Sequence, residues 1–142
     1  MSTELENFEA VMAIFDAWPN PENIPILVSQ QPFENCETYV RIYMLEGRPV
    51  QIGMGGNPSQ MNRHPGVLQI SIFTPLGQGM DASLHGLTLA RELIDLLESA
   101  TLSGMEFTGG WIAPQRVDEG HYRHDASVGY AWDRLTDVRI IV

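Results

Sequence analysis

The chain has 142 residues, room for about one domain of ordinary size, with 44% hydrophobic and 18% charged residues, a folding composition and not a disordered one. Eighteen acidic side chains against eight cations give a net charge of -10, and all eight cations are arginine. The lack of lysine excludes a P-loop and Schiff-base catalysis, and the negative charge opposes a role as a nucleic-acid coat.

One cysteine, Cys36, permits no internal disulfide. The start Met1-Ser2-Thr3-Glu4 has no basic region, and no apolar run reaches the roughly eighteen residues of a membrane span. A soluble protein made in the cytoplasm, without membrane contact, is expected.

Thr3 and Glu6 have capping-box spacing, and Leu5, Phe8, Met12 and Phe15, widened by Val11 and Trp18, paint one face of a first helix. Pro19 and Pro21 end it near Trp18. Period-two patterns follow. Val40, Ile42 and Met44, then Val50, Ile52 and Met54, lie on either side of Glu46-Gly47-Arg48-Pro49, which predicts a hairpin. Residues 53–66, rich in Gly, Pro and Asn and without periodicity, are expected to form a long loop. A third strand covers residues 67–73, with Leu68, Ile70 and Ile72 on one face.

A turn through Thr74-Pro75-Leu76-Gly77-Gln78-Gly79 leads to the clearest helix, with Asp81 as its expected N-cap. Asp81, His85, Thr88, Glu92, Asp95 and Ser99 make a polar stripe, and Leu84, Leu87, Ala90, Ile94 and Leu97, broadened by Leu89, Leu93 and Leu96, make a face expected to be buried. Short strands are predicted at residues 105–107 and 111–113, then a turn at Asp118-Glu119-Gly120. A long strand follows with Tyr122, Ala126, Val128, Tyr130 and Trp132 on one side and Arg123, Asp125, Ser127 and Asp133 on the other. The tail, residues 137–142, alternates as well. Helix, strands, helix, strands in this order predict one α+β domain over residues 1–142: a mostly antiparallel sheet with two helices on one face, a long Gly-rich loop, and a second sheet face that is covered or half-polar.

No constellation amounts to an active site. Gly77-Gln78-Gly79-Met80-Asp81-Ala82 has the G-x-G-x-x-A form of a dinucleotide turn, but only 65 residues follow Gly77, the later strands read as antiparallel, and Asp81 would repel a phosphate. A glycine-assisted turn explains it as well. His121, His124, Asp125 and Glu119 include metal-ligand types, yet residues three apart on a strand point to opposite faces, so exposed polar positions are the simpler expectation. No catalytic residue, cofactor or metal is expected.

The segment Arg63-His64-Pro65-Gly66-Val67-Leu68-Gln69-Ile70-Ser71-Ile72-Phe73-Thr74-Pro75-Leu76-Gly77-Gln78-Gly79 and the helix after it resemble the tail-terminator family of long, non-contractile-tailed phages, of the lambda type. In that family an arginine and a glycine precede a strand ending in an aromatic-x-Pro-x-Gly-x-Gly turn, an Ala/Leu-rich helix follows, and a final strand opens on an aromatic residue, here Tyr122. The helix ending in Trp18-Pro19 and the segment from Tyr39 to Met54 also suit the family.

The resemblance implies a structural protein, of phage or prophage, that forms a hexameric ring on the head-proximal end of the tail tube. That ring stops tube polymerisation and presents a surface for head attachment, which places the protein in the virion tail. Its implied partners are its own copies, the tail tube protein and a head completion protein, with DNA passing through the lumen. A ring needs head-to-tail contacts between two different patches. Arg48, Met54, Met61 and Arg63 are expected to supply one patch, against an acidic surface on the neighbour. Negative charge along a lumen would keep DNA from sticking. Alternatives are another ring-forming head–tail connector and a small nucleotide-binding enzyme built on Gly77 and Gly79.

Overall fold

Apolar alternation along the strands and a 3–4 repeat along the helices give the described residues of this chain ten stretches of regular structure. A computed structural model describes residues 4–20, 22–28, 37–47, 50–56, 59–100 and 105–137, with the backbone alone for 4–7, 46, 50–62 and 133–137. Helix α1, Glu4–Ala17, precedes strands β1 (Ile26–Val28), β2 (Tyr39–Glu46), β3 (Val50–Gly56) and β4 (Ser59–Pro75). A 3-10 turn, Leu76–Gln78, leads into α2 (Met80–Glu98), followed by β5 (Met105–Ile112), β6 (Arg116–Asp118) and β7 (His121–Asp137).

The strands form one 7-stranded sheet in the order β1-β2-β4-β7-β5, with β3 added to β4 and β6 to β7. Every pairing is antiparallel except β1 with β2. At the centre β4 and β7 pair without a slip from Ser59↔Asp137 to Pro75↔His121. Each is flanked on its outer side by two shorter strands laid end to end, β2 and β3 beside β4, β5 and β6 beside β7. The fold is α+β, as expected.

Several local expectations are corrected. The segment 53–66 is not a long loop: β3 runs to Gly56 and β4 begins at Ser59. Pro65 and Gly66 read as breakers because of their composition, yet they sit where β4 changes outer partner, between Glu46↔Gly66 and Val50↔Arg63. A proline's missing donor is tolerated where no strand stands opposite it. Its carbonyl is still used, accepting from the Gly47 amide at 2.8 Å. Gly66 is required by a close approach, because a Cβ there would run into the Tyr130 ring.

The predicted hairpin of β2 with β3 is also replaced. Both run the same way along one edge of β4, and the hairpin is instead β3 with β4. Alternation tells a segment that it is a strand, not which strand it meets. The two short strands predicted around Gly109 are one strand, β5, with a bulge between Phe107 and Gly110. Thr3, of the expected capping box, and the tail 138–142 lie outside the described residues.

The core lies between the sheet and the two helices. Val40, Ile42, Leu68, Ile70, Ile72, Ala126 and Val128 from the strands meet Val11, Phe15 and Trp18 of the first helical segment and Leu89, Leu93, Ile94 and Leu97 of α2. The helices are tied to each other where Trp18 Nε1 donates to Glu92 Oε1 at 3.3 Å. Glycine again sets the distance between layers: a Cβ on Gly86 would sit 2.5 Å from His124 Nδ1, so α2 rests directly on β7 at this point.

The buried face of α2 is rotated from the expected one. Ala82, Gly86, Leu89, Ala90, Leu93, Ile94 and Leu97 are buried, while Leu84 and Leu87 are exposed. A helix on a flat sheet buries one arc, and the apolar arc of this helix is wider than that. The N-cap is Gly79 at φ 61°, with Asp81 in the first turn, where its charge favours the positive end of the helix. The Glu119-Gly120 turn between β6 and β7 is the expected one, both residues having positive φ as a two-residue hairpin loop requires.

Candidate assembly interface

Side chains alternate across the sheet, so the residues that do not meet the helices form a second face. It carries Tyr39, Arg41, Tyr43 and Leu45 from β2, Pro65, Val67, Gln69, Ser71 and Phe73 from β4, and Arg123, Asp125, Ser127 and Gly129 from β7. No helix among the described residues packs on it. One end is a polar and aromatic network. Arg123 Nε donates to Asp125 Oδ1 at 2.9 Å and Nη1 to Asp118 Oδ2 at 3.1 Å, while the guanidinium lies 5.3 Å over the Phe73 ring. Tyr39 stacks on Phe73 at 4.5 Å, and His121 sets its edge against both rings. Asp125 also accepts from Ser71 Oγ at 2.7 Å and pairs with Arg116 at 3.2 Å.

Burial alone would depress the Arg123 pKa, but its bonds to Asp125 and Asp118 outweigh that and raise it, so the guanidinium stays charged. Burial raises the Tyr39 pKa, against the opposing pull of Arg41, so the phenol stays neutral. The network is fully committed to itself.

The other end is an apolar groove of about 530 Å³. Leu45 and Trp111, 51% and 52% exposed, stand as its walls, and Pro65, Gly66, Val67 and Ser127 form a floor of small side chains. Across the molecule, α2 presents Met80, Leu84 and Leu87 at i, i+4 and i+7, exposed by 77%, 55% and 45%. A monomer gains nothing from three such side chains in one row. The same helix exposes Asp81, Glu92, Asp95 and Glu98 against the single cation Arg91.

Of the residues expected in a contact patch, Arg48 lies outside the described residues. Met54 is on β3 and Met61 and Arg63 are on β4, so three of the four come together on the β3–β4 hairpin. Met61 stands opposite Gly53, and Arg63, which is exposed, opposite Val50 and Asp133. By alternation Arg63 shares its face with Pro65 and Val67, one step along the strand from the groove.

Sequence reasoning missed Leu45, Trp111 and the Met80–Leu84–Leu87 row. The excess width of the apolar arc on α2 was the available signal for the last of these. His121 and His124, expected as exposed strand positions, are both buried, on opposite faces of the sheet: His121 among Tyr39 and Phe73, His124 under α2. Among the described residues, no group of three or more His, Cys, Asp or Glu is placed to hold a metal ion. The turn with Gly77 and Gly79 leads from β4 through α2 to β5, which runs parallel to β4 but with antiparallel β7 between them. A dinucleotide crevice opens between neighbouring parallel strands, a placement this crossover does not have.

The model of a family described as phage tail terminator protein matches residues 8–102. The chain belongs to the phage tail terminator family. The match spans most of α1, the strands from β1 to β4, and α2, which carry Leu45, Pro65, Gly66 and Val67 of the groove and the exposed helix row, while Trp111 and Ser127 lie beyond it. No curated protein matches in sequence. Nine chains among solved structures match in fold. One of them, whose designation describes no function, is 18% identical, with a TM-score of 0.57 over 94% of this chain and 96% of its own. At that identity it supports the fold. Membership makes this terminator a structural component of phage tails, and no helix among its described residues is long and apolar enough to cross a membrane.

Proposed function

We propose that this terminator acts as a closed ring of six copies on the head-proximal end of the tail tube, where it stops tube growth and offers the surface that the head completion protein meets. The observation that carries the reading is the family match over residues 8–102, joined to two unlike exposed apolar surfaces on one subunit. A ring closes only through such head-to-tail contacts, because identical patches meeting each other stop at a dimer. Arg48, Met54, Met61 and Arg63 belong to the contact region in this reading, the last three on the hairpin that borders the groove. The net charge of -10 suits a lumen through which DNA passes, since like charge keeps the phosphate backbone from adhering. The host cytoplasm is the place of assembly, and neither a membrane nor a cofactor takes part.

Electron microscopy of particles from a phage deleted for this gene tests the role. Overlong tails without heads, returned to a uniform length when the chain is supplied in trans, are the expected result. Tails of normal length that merely lack heads would overturn the terminator reading in favour of a head–tail connector.

A further inference from the structure

A sheet ends in strands whose outer N–H and C=O groups have no neighbour, and such edges add strands from other molecules unless something prevents it. Among the described residues this sheet has four outer strands: β1, β3, β5 and β6. Three are poor templates by themselves. β1 and β6 are three residues long, and β3 carries two register shifts along its seven residues. β5 is eight residues long and stands at the end of the order β1-β2-β4-β7-β5.

The backbone phase of β5 is fixed at its far end, where the Ala113 amide donates to the Asp125 carbonyl at 2.9 Å. Antiparallel bonding alternates along a strand, so Trp111 and Ala113 turn their N–H and C=O toward β7, while Gly110 and Ile112 turn theirs to the open side. The outward amide of Gly110 is nevertheless engaged: it donates to Glu98 Oε1 at 2.7 Å. Glu98 is the last residue of α2, one turn beyond Ile94, and Gly110 lets it reach. A Cβ there would stand 2.6 Å from Ile94 Cγ2, so the helix rests on the backbone of β5 and its next turn overhangs the edge. The bulge between Phe107 and Gly110 breaks the regular ladder just before this point. Glu98 is itself exposed, a position where substitutions change stability by about 0.5 kcal/mol or less. Its place on the open edge is what sets it apart.

We propose that Glu98 closes the β5 edge: its carboxylate occupies the amide that an added strand would need, and so keeps two copies of this chain from pairing β5 to β5. The excluded partner is a second copy because an antiparallel edge is complementary to itself. Turned about a two-fold axis, the outward N–H and C=O of Gly110 and Ile112 in one copy meet the same groups of the other. Such a self-complementary pair stops at a dimer and diverts copies from any head-to-tail assembly. This holds whether or not the chain forms the ring proposed above, because it concerns a contact that the free chain avoids.

Glu98→Ala and Glu98→Gln test it. Both alter an exposed side chain, so the fold is expected to stand, with circular dichroism as the check. Alanine removes the acceptor; glutamine keeps an acceptor oxygen and loses only the charge. By light scattering at equal concentrations, Glu98→Ala is expected to show a mass above the wild-type value that climbs with concentration, and Glu98→Gln the wild-type mass. Amide hydrogen exchange locates the contact. In dilute Glu98→Ala the Gly110 amide is expected to exchange about ten-fold faster than in wild type, and in the associated variant the outward Ile112 amide about ten-fold slower, as a new ladder bond forms.

Glu98→Ala that keeps the wild-type mass at every concentration overturns the proposal. Association of both variants overturns it as well, since the lost charge and not the lost acceptor would then be the cause. Association without slowed exchange at Ile112 would put the contact elsewhere, and an unfolded Glu98→Ala would make the residue a structural one; either result also overturns the edge role. Tail length in the complemented deletion strain reports the terminator role independently of all of these.

Discussion

The two faces of the sheet are built from the same strands, one residue in two, and they are put to opposite uses. The helix-covered face is aliphatic and sealed: Leu68, Ile70, Ile72, Ala126 and Val128 are fully buried beneath α1 and α2. The helix-free face carries an ion and aromatic network at one end and an open apolar groove at the other. The difference teaches where the burial energy goes. On the first face it is gained when the chain folds; on the second, Leu45 and Trp111 keep about half of their area in water, so much of it is not gained by folding.

The comparison breaks most visibly in the core. Leu93 is fully buried between α2 and the sheet, so Leu93→Ala is expected to cost about 2–5 kcal/mol, read as a shift of the urea midpoint at unchanged slope. A loss below about 1 kcal/mol would mean that the helix layer is not the seal described here.

On the other face, the matching change is the removal of Asp125. It accepts from Arg123 and Ser71 and pairs with Arg116, so Asp125→Ala leaves a largely buried guanidinium and a buried hydroxyl short of a partner. The expected loss is about 1–3 kcal/mol in the same titration, smaller than in the core because Arg123 keeps Asp118. Asp125→Asn, which keeps an acceptor oxygen, is expected to restore part of it.

His124 tests the covered face by pH. Burial beneath α2 lowers its pKa from 6.5, the neighbouring Asp125 opposing the shift. Among the described residues its Nδ1 has no hydrogen-bond partner, nor has Thr74 Oγ1. The unfolded chain therefore takes up a proton that the folded chain resists. Stability from this source is complete above about 6.5 and is lost as pH falls below it toward the folded value, at up to about 1.4 kcal/mol per pH unit. His124→Gln, which does not titrate, is expected to flatten the acid side of the stability curve relative to wild type. Parallel curves would place the acid sensitivity elsewhere.

Much of the covered face was legible in the chain. The 3–4 spacing of Val11, Phe15 and Trp18 marked the buried side of α1, and the alternation of Ala126, Val128, Tyr130 and Trp132 marked that of β7. What local pattern does not carry is pairing. Residues 53–66 read as a loop because they are rich in Gly, Pro and Asn and lack periodicity, and only the pairing of β3 with β4 and the complete register of β4 against β7 make most of them strand. The groove was illegible for the same reason. Leu45 and Trp111 lie 66 positions apart and become its two walls through the order β2-β4-β7-β5. A tryptophan in a strand reads as core until the layer that would cover it is found missing.

The smallest expected effect sharpens the comparison most. Leu45 lies on the helix-free face and is 51% exposed, so truncating it removes side-chain area of which about half is already in water. Exposed substitutions of this kind change stability by about 0.5 kcal/mol or less, and Leu45→Ala is expected to fall in that range when the unfolding of dilute monomer is followed. Burial in a neighbouring subunit would restore the transfer term that the monomer never realised, on the order of 1–2 kcal/mol for each contact. The same substitution is therefore expected to be nearly silent in the monomer and, where the proposed ring buries this face, to lower the midpoint of its dissociation. Equal effects in both measurements would mean that Leu45 is already spent on folding, and that this face is closed in the free protein.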